Sequence, residues 1–251
     1  MTEPLPIFAL HGWALNAAVF APFGDRIAGR RLIAPDLPGH GRRREETLGR
    51  DPAALASRLL DEAPPRAVWL GWSLGSLLAL AAASAAPERV AALVLVAGTA
   101  SFIARPDWPQ GMPRERLESM GADLVRDPEA TVNDFLTWQV QANARGRKAL
   151  RGLRQALAER GSASAAALAD GLALLEIMDY RGELKSLKMP ALAIAGGRDR
   201  LVRPQAARAS AVGLPGGRFL MIEEAGHAPF LSHADEFHAA LSDFLAALDD
   251  E

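Results

Sequence analysis

The chain has no cysteine, which excludes disulfides and thiolate metal sites and agrees with a reducing compartment. It also lacks any large charge imbalance. Its 28 Lys and Arg stand against 30 Asp and Glu, for a formal net charge of −2, so nothing global points to nucleic acid. No stretch approaches the ~20 apolar residues of a membrane span. The opening residues Met1-Thr2-Glu3-Pro4 have no basic n-region of the kind that starts a secretion signal. Internal repeats and low-complexity tails are missing as well. The expectation is a soluble cytoplasmic monomer without a nucleic-acid or membrane partner. At 251 residues the length suits one large domain, with room for an insertion.

Against these absences one pentapeptide stands out, Gly71-Trp72-Ser73-Leu74-Gly75, a match to G-x-S-x-G. Ala67-Val68-Trp69-Leu70 before it has strand character, and Ser76 to Ala83 after it is an Ala/Leu-rich helix. A serine pinned between strand and helix by two small residues sits on a sharp, strained turn. The turn lifts the hydroxyl out of the sheet and sets it at a helix N-terminus, where developing negative charge is favoured. This is the pattern of a nucleophile elbow, and it points to acyl transfer or ester hydrolysis.

An elbow of this kind predicts partners in the order Ser, acid, His. Asp199 follows the apolar run Pro190 to Ala195 and Gly196-Gly197; His227 follows the strand-like run Arg218 to Ile222 and lies in Ala225-Gly226-His227-Ala228-Pro229. Catalytic groups of open α/β sheets gather beyond the carboxyl ends of strands, and both positions fit. Ser73, Asp199 and His227 are therefore the candidate triad. Taken singly, Asp199 reads equally well as a helix cap and His227 as a solvated loop residue. A tetrahedral intermediate also needs two preorganised N–H donors. Leu74, next after the serine, supplies one. Trp13, in the turn His11-Gly12-Trp13 that leaves the strand Leu5 to Leu10, is the expected second.

Strands alternate with helices from Pro6 to about Gly98, which argues for a mostly parallel sheet with helices on both faces. Between Thr99 and Leu187 no strand-like run appears. Helical stretches are expected near Pro113 to Val125, Pro128 to Ala142, Arg145 to Glu159 and Ser164 to Met178, with Asp127 capping the second. Residues 1–98 and 188–251 thus form the expected core, and 99–187 a helical lid. The last helix runs from Ala234 to Leu248.

These motifs carry a resemblance to the α/β-hydrolase superfamily over essentially the whole length. Within it, the chain resembles the biotin-pathway esterases that demethylate pimeloyl-acyl-carrier-protein methyl ester. The narrower resemblance lies in His11-Gly12-Trp13-Ala14-Leu15-Asn16, Gly71 to Gly75, Ala104-Arg105-Pro106-Asp107-Trp108-Pro109, Phe135-Leu136-Thr137-Trp138-Gln139 and Gly226-His227-Ala228-Pro229-Phe230. It implies a serine esterase acting on an acyl-carrier-protein substrate, with no metal or organic cofactor. It implies too that Phe135, Leu136, Thr137, Trp138 and Gln139 line an acyl tunnel, with core packing the alternative, for Leu136 above all. Trp138 is bulkier than the aliphatic residue expected there. Arg147 and Arg151 match lid arginines that dock the carrier, whereas Ala130 and Asp134 stand where two further arginines are expected. Arg145, Lys148 and Arg154 are alternative sources of charge, and Arg42-Arg43-Arg44 reads as surface. Most relatives begin with an antiparallel hairpin, for which this chain has no room, so a sheet shorter by about two strands is expected. The rival activities are a broad carboxylesterase, another acyl hydrolase or a lyase of the same fold; the rival outside enzymes is a non-catalytic carrier-binding module.

Overall fold

A computed structural model describes residues 4–24, 26–141 and 143–249. Met1, Thr2 and Glu3, on which the reading of the leader rests, lie outside the described residues. So does Ala142, the expected end of one lid helix.

Runs of Val, Leu, Ile and Ala build the strands. They are β1 (Ile7–Leu10), β3 (Arg30–Ile33), β4 (Ala67–Trp72), β5 (Val90–Val96), β6 (Ala191–Gly196) and β7 (Gly217–Ile222), all parallel to one another. Every residue of β1, β4 and β6 is buried, as a sheet covered on both faces requires. Among the described residues no strand precedes β1. A two-residue strand that the sequence did not suggest, β2 (Arg26–Ile27), pairs antiparallel with β3 and completes the order β2-β3-β1-β4-β5-β6-β7. Strand propensity is a weak signal in so short a segment, which closes a tight reversal at the sheet edge.

The order matters for function. From β1 the chain steps outward to β3, then crosses back to β4 on the other side of β1. The carboxyl ends of β1 and β4 therefore border the point where the winding reverses, the usual ligand crevice of such sheets. The turn His11-Gly12-Trp13 and Ser73 both leave the sheet there.

Helices α1 (Pro52–Glu62), α2 (Leu74–Ala85), α7 (Pro204–Gly213) and α9 (Ala234–Asp249) flank the sheet, with the single turn α8 (Pro229–Ser232) leading into α9. Between β5 and β6 lie α3 (Arg114–Arg126), α4 (Pro128–Trp138), α5 (Ala144–Arg160) and α6 (Ala165–Ile177). The caps agree with the sequence: Asp127, Asn143 and Ser164 each accept a backbone N–H of the first turn that follows. Helix α4 stops at Trp138, short of the expected end, because Gln139 turns toward the loops that follow β6 and β7. Among the described residues no helix is long and apolar enough to cross a membrane.

The loops after β1 and β3 are joined by two buried imidazoles. His11 Nε2 accepts the N–H of Leu37 at 2.9 Å, and its Nδ1 faces Gly12 O at 2.9 Å. His40 donates to Pro38 O at 2.9 Å, and the two rings lie 5.2 Å apart. Burial pushes His40 down to about 4. Burial, then the neighbouring His40, drive His11 below the ordinary imidazole value as well. Between the ordinary value of about 6.5 and about 4 the unfolded chain therefore binds protons that the native one refuses, so stability falls as pH falls. Each imidazole contributes up to about 1.4 kcal/mol per pH unit in this window. The melting temperature is expected to drop from pH 7 to pH 4.5, and to drop less in His40→Gln, whatever that variant loses at pH 7. Equal slopes for the two proteins in differential scanning fluorimetry would contradict this.

Candidate active site

Ser73 sits between the end of β4 and the start of α2, with φ 56° and ψ −117°. This is a left-handed backbone that strains a residue with a Cβ. Packing holds it there. The Ser73 N–H donates to Val96 O at 3.0 Å and its carbonyl accepts from Ser76 N at 2.9 Å. Ser76 Oγ donates to Gly71 O at 2.7 Å. A methyl on Gly71 would collide with the carbonyl of Gly75, and one on Gly75 with the carbonyl of Leu10. Both glycines of the motif are thus required by close backbone approach. Ser73 is half-buried between buried neighbours.

Asp199 and His227 meet. His227 Nδ1 stands 2.8 Å from Asp199 Oδ2. A carboxylate only accepts, so Nδ1 donates this bond, and in the neutral ring Nε2 is then the acceptor. The other carboxylate oxygen takes the N–H groups of Leu201 and Val202 at 2.8 and 3.1 Å, which fixes the acid from both sides. His227 is also held by its main chain. Its N–H donates to Gln139 O at 2.9 Å, and its carbonyl accepts from Trp72 Nε1 at 2.8 Å. The bond from Trp72 ties the imidazole loop to the residue preceding Ser73. Among the described residues, the buried His227 Nε2 has no hydrogen-bond partner. Catalytic hydrogen bonds commonly tighten only when substrate is bound.

The turn bearing Trp13 is adjacent: a Cβ on Gly12 would stand 3.2 Å from Ser73 Cβ. Neither oxyanion candidate spends its N–H elsewhere. That of Trp13 is unpaired among the described residues, and that of Leu74, at the first position of α2, has no partner within the helix. The Trp13 indole donates to Leu168 O at 2.8 Å and takes the edge of Phe135 at 4.7 Å.

The residues from 135 to 139 divide. Phe135, Thr137 and Trp138 line a cleft of about 1240 Å³ between α3, α4 and α5, and Leu136 and Gln139 do not. Leu136 packs in the core. Both amide atoms of Gln139 are buried without a partner among the described residues. Trp138 carries the Arg116 guanidinium 3.8 Å above its ring. Ser73, Asp199 and His227 do not line this cleft, whose lining residue Phe135 packs on Trp13.

Of the arginines, Arg147 lines the cleft and Arg151 does not, though both are exposed. Arg154 is engaged with Asn133 at 2.9 Å, Arg145 stands 3.9 Å from Glu236, and Arg160 turns inward to Asp36 at 3.3 Å. The Arg42-Arg43-Arg44 cluster is structural as well as superficial. Arg43 bridges Glu46 and Glu62, and Arg44 binds the carbonyls of Ser162 and Ala163. Sequence reasoning missed the bonds to His227 from Gln139 O and Trp72 Nε1. A carbonyl has no residue signature, and the indole partner lies 155 residues away.

Comparison with known proteins agrees with this geometry. A family model described as alpha/beta hydrolase fold matches residues 6–234. A pimeloyl-[acyl-carrier protein] methyl ester esterase of Stenotrophomonas maltophilia (strain K279a) is 46% identical over 240 residues, covering 95% of this chain and 92% of that protein. One of the same name from Xanthomonas campestris pv. campestris (strain B100) is 46% identical over 242 residues, covering 95% and 94%. Among solved structures, an esterase from Exiguobacterium antarcticum superposes with a TM-score of 0.83 at 21% identity, covering 98% of this chain and 93% of that one. An enol-lactonase from Burkholderia xenovorans LB400 does so with 0.81 at 21%, covering 96% and 92%. The strained serine at the winding reversal, the Asp–His pair beyond β6 and β7 and the family match lead to one conclusion: the chain belongs to the α/β-hydrolase family.

Proposed function

We propose that the chain is a serine carboxylesterase that hydrolyses the methyl ester of pimeloyl-acyl-carrier protein and releases methanol. The esterase chemistry rests on one observation, the 2.8 Å Asp199–His227 bond on a loop tied by Trp72 to the residue before a strained serine. The substrate rests on the relatives of that name, 46% identical over 95% of the chain.

In this reading Ser73 Oγ attacks the ester carbonyl while His227 Nε2 takes its proton, and Asp199 steadies the imidazolium. The N–H groups of Trp13 and Leu74 receive the oxyanion, each worth ~3 kcal/mol of barrier. His227 then protonates the departing methoxide, and water deacylates the enzyme by the same route. Residues 99–187 act as a lid that supplies the acyl channel. The cleft beside Phe135 is its outer part, so Phe135, Thr137 and Trp138 meet the substrate, and Gln139 presents its unpaired amide. Arg147 and Arg151, exposed and without acidic partners among the described residues, receive the acidic carrier. Arg116 and Arg200 reach the same cleft as Arg147, near Ala130 and Asp134 where the family has arginines. A broader carboxylesterase is the second reading, favoured by the openness of a cleft of about 1240 Å³.

Ser73→Ala is expected to lower kcat on a chromogenic short-chain ester by at least about 10⁴-fold, and retention of full turnover would remove the basis of the mechanism. The paired change Arg147→Glu and Arg151→Glu is expected to cut kcat/KM on the carrier-bound methyl ester by about 10- to 100-fold, most strongly at low salt, while leaving a short free ester unaffected. If carrier-bound turnover survives both reversals, docking through these arginines fails and the broader carboxylesterase gains.

A further inference from the structure

Ala14, next to the proposed oxyanion donor, has φ 63°, a left-handed conformation that persists only where its surroundings impose it. Locally the turn has little to impose it, a 3.3 Å bond from Leu15 N to Gly12 O. The constraints from outside the turn are the bond of the Trp13 indole to Leu168 O at 2.8 Å and, on the other side of Ala14, Asn16, which is fully buried. Its Oδ1 accepts the N–H of Ala18 at 3.0 Å, and its Nδ2 donates to Ala156 O and Gly161 O, both at 2.9 Å. The two carbonyls mark the C-terminal end of α5. One short amide thus joins the oxyanion turn to the helical insertion across 140 residues of chain. Its neighbours reinforce the joint: Asp36 Oδ1 takes the N–H of Ala17 at 2.7 Å and pairs with Arg160 of α5 at 3.3 Å.

We propose that Asn16 is a positioning residue: it couples the turn presenting the Trp13 N–H to the end of α5, so that the seating of the helical insertion sets the oxyanion geometry. The inference rests on the reading of Trp13 as an oxyanion donor. Only asparagine suits the place. Aspartate has the same shape but no N–H to give, and it sets a negative charge against the negative end of the α5 dipole. Serine keeps an oxygen for Ala18 and loses both bonds to α5.

The test compares the full-length protein with Asn16→Asp and Asn16→Ser on a short p-nitrophenyl ester, with rates normalised to active sites by burst titration. Both variants are expected to lose about 10- to 100-fold in kcat, as for a misplacement on the order of 1 Å, with KM little changed. Inhibition by an alkyl trifluoromethyl ketone, whose adduct with Ser73 carries an oxyanion, is expected to weaken in step with kcat. Binding of the matching unreactive amide is expected to stay as in the parent. A purely structural role lowers the titrated site concentration and leaves these ratios alone. Parent-like kcat and ketone inhibition in both variants would overturn the inference. So would the failure of both to fold, which would make Asn16 a determinant of folding instead. Full activity in Ser73→Ala, by contrast, defeats the underlying esterase reading and not the Asn16 coupling in particular.

Discussion

The close backbone contact at the start of α2 is the constraint on which the rest of the site depends. The first turn of this helix lies so near the ends of β1 and β4 that neither Gly71 nor Gly75 has space for a methyl group. That proximity forces Ser73 into a left-handed backbone and brings the His11-Gly12-Trp13 turn alongside it. The strain is offset by burial of the almost wholly apolar helix α2, whose residues Leu74 to Ala83 are all buried. The Ser73 hydroxyl and the N–H groups of Trp13 and Leu74, unpaired among the described residues, thereby stand on adjoining turns. Each is a group that a relaxed chain would satisfy locally.

Around this fixed point the other partners are held by the main chain as much as by side chains. His227 is gripped at its ring, its N–H and its carbonyl by Asp199, Gln139 and Trp72. Gln141 Nε2 donates to Arg198 O at 2.9 Å, beside Asp199. The segment 139–141 thus lies across the loops that follow β6 and β7, and the Trp13 indole reaches Leu168 in α6. The helical insertion is therefore tied by hydrogen bonds to the loops that bear Trp13, Asp199 and His227.

Much of the architecture was legible before the structure. The runs Ala67 to Leu70, Val90 to Val96 and Pro190 to Ala195 read as strands because buried parallel strands are continuous apolar segments. The insertion helices were legible through their composition and through the cap Asp127. The strand Arg26–Ile27 was not, since two residues carry no periodicity. The early end of α4 was hidden for a different reason. Residues past Trp138 have helical composition, but the bond from His227 N–H to Gln139 O draws the chain aside. The arginines show the same division. The spacing of Arg147, Arg151 and Arg154 placed them on one helical face, yet Arg154 is taken up by Asn133.

Sequence by itself determined the chemistry on offer: a serine in a turn that tolerates only glycine at its flanks, followed by an acid and a histidine, each after an apolar run. These are local patterns, set by sterics and by the period of buried strands. Only the tertiary structure decided which oxygen faces which nitrogen and which main-chain groups remain unpaired. It also decided that Asn16 and Trp13 are anchored in the insertion. The anchoring of Asn16 and Trp13 depends on contacts between residues 140 or more positions apart, and the Asp199–His227 pair spans 28; at such separations packing of the whole chain, rather than any local preference, selects the partner.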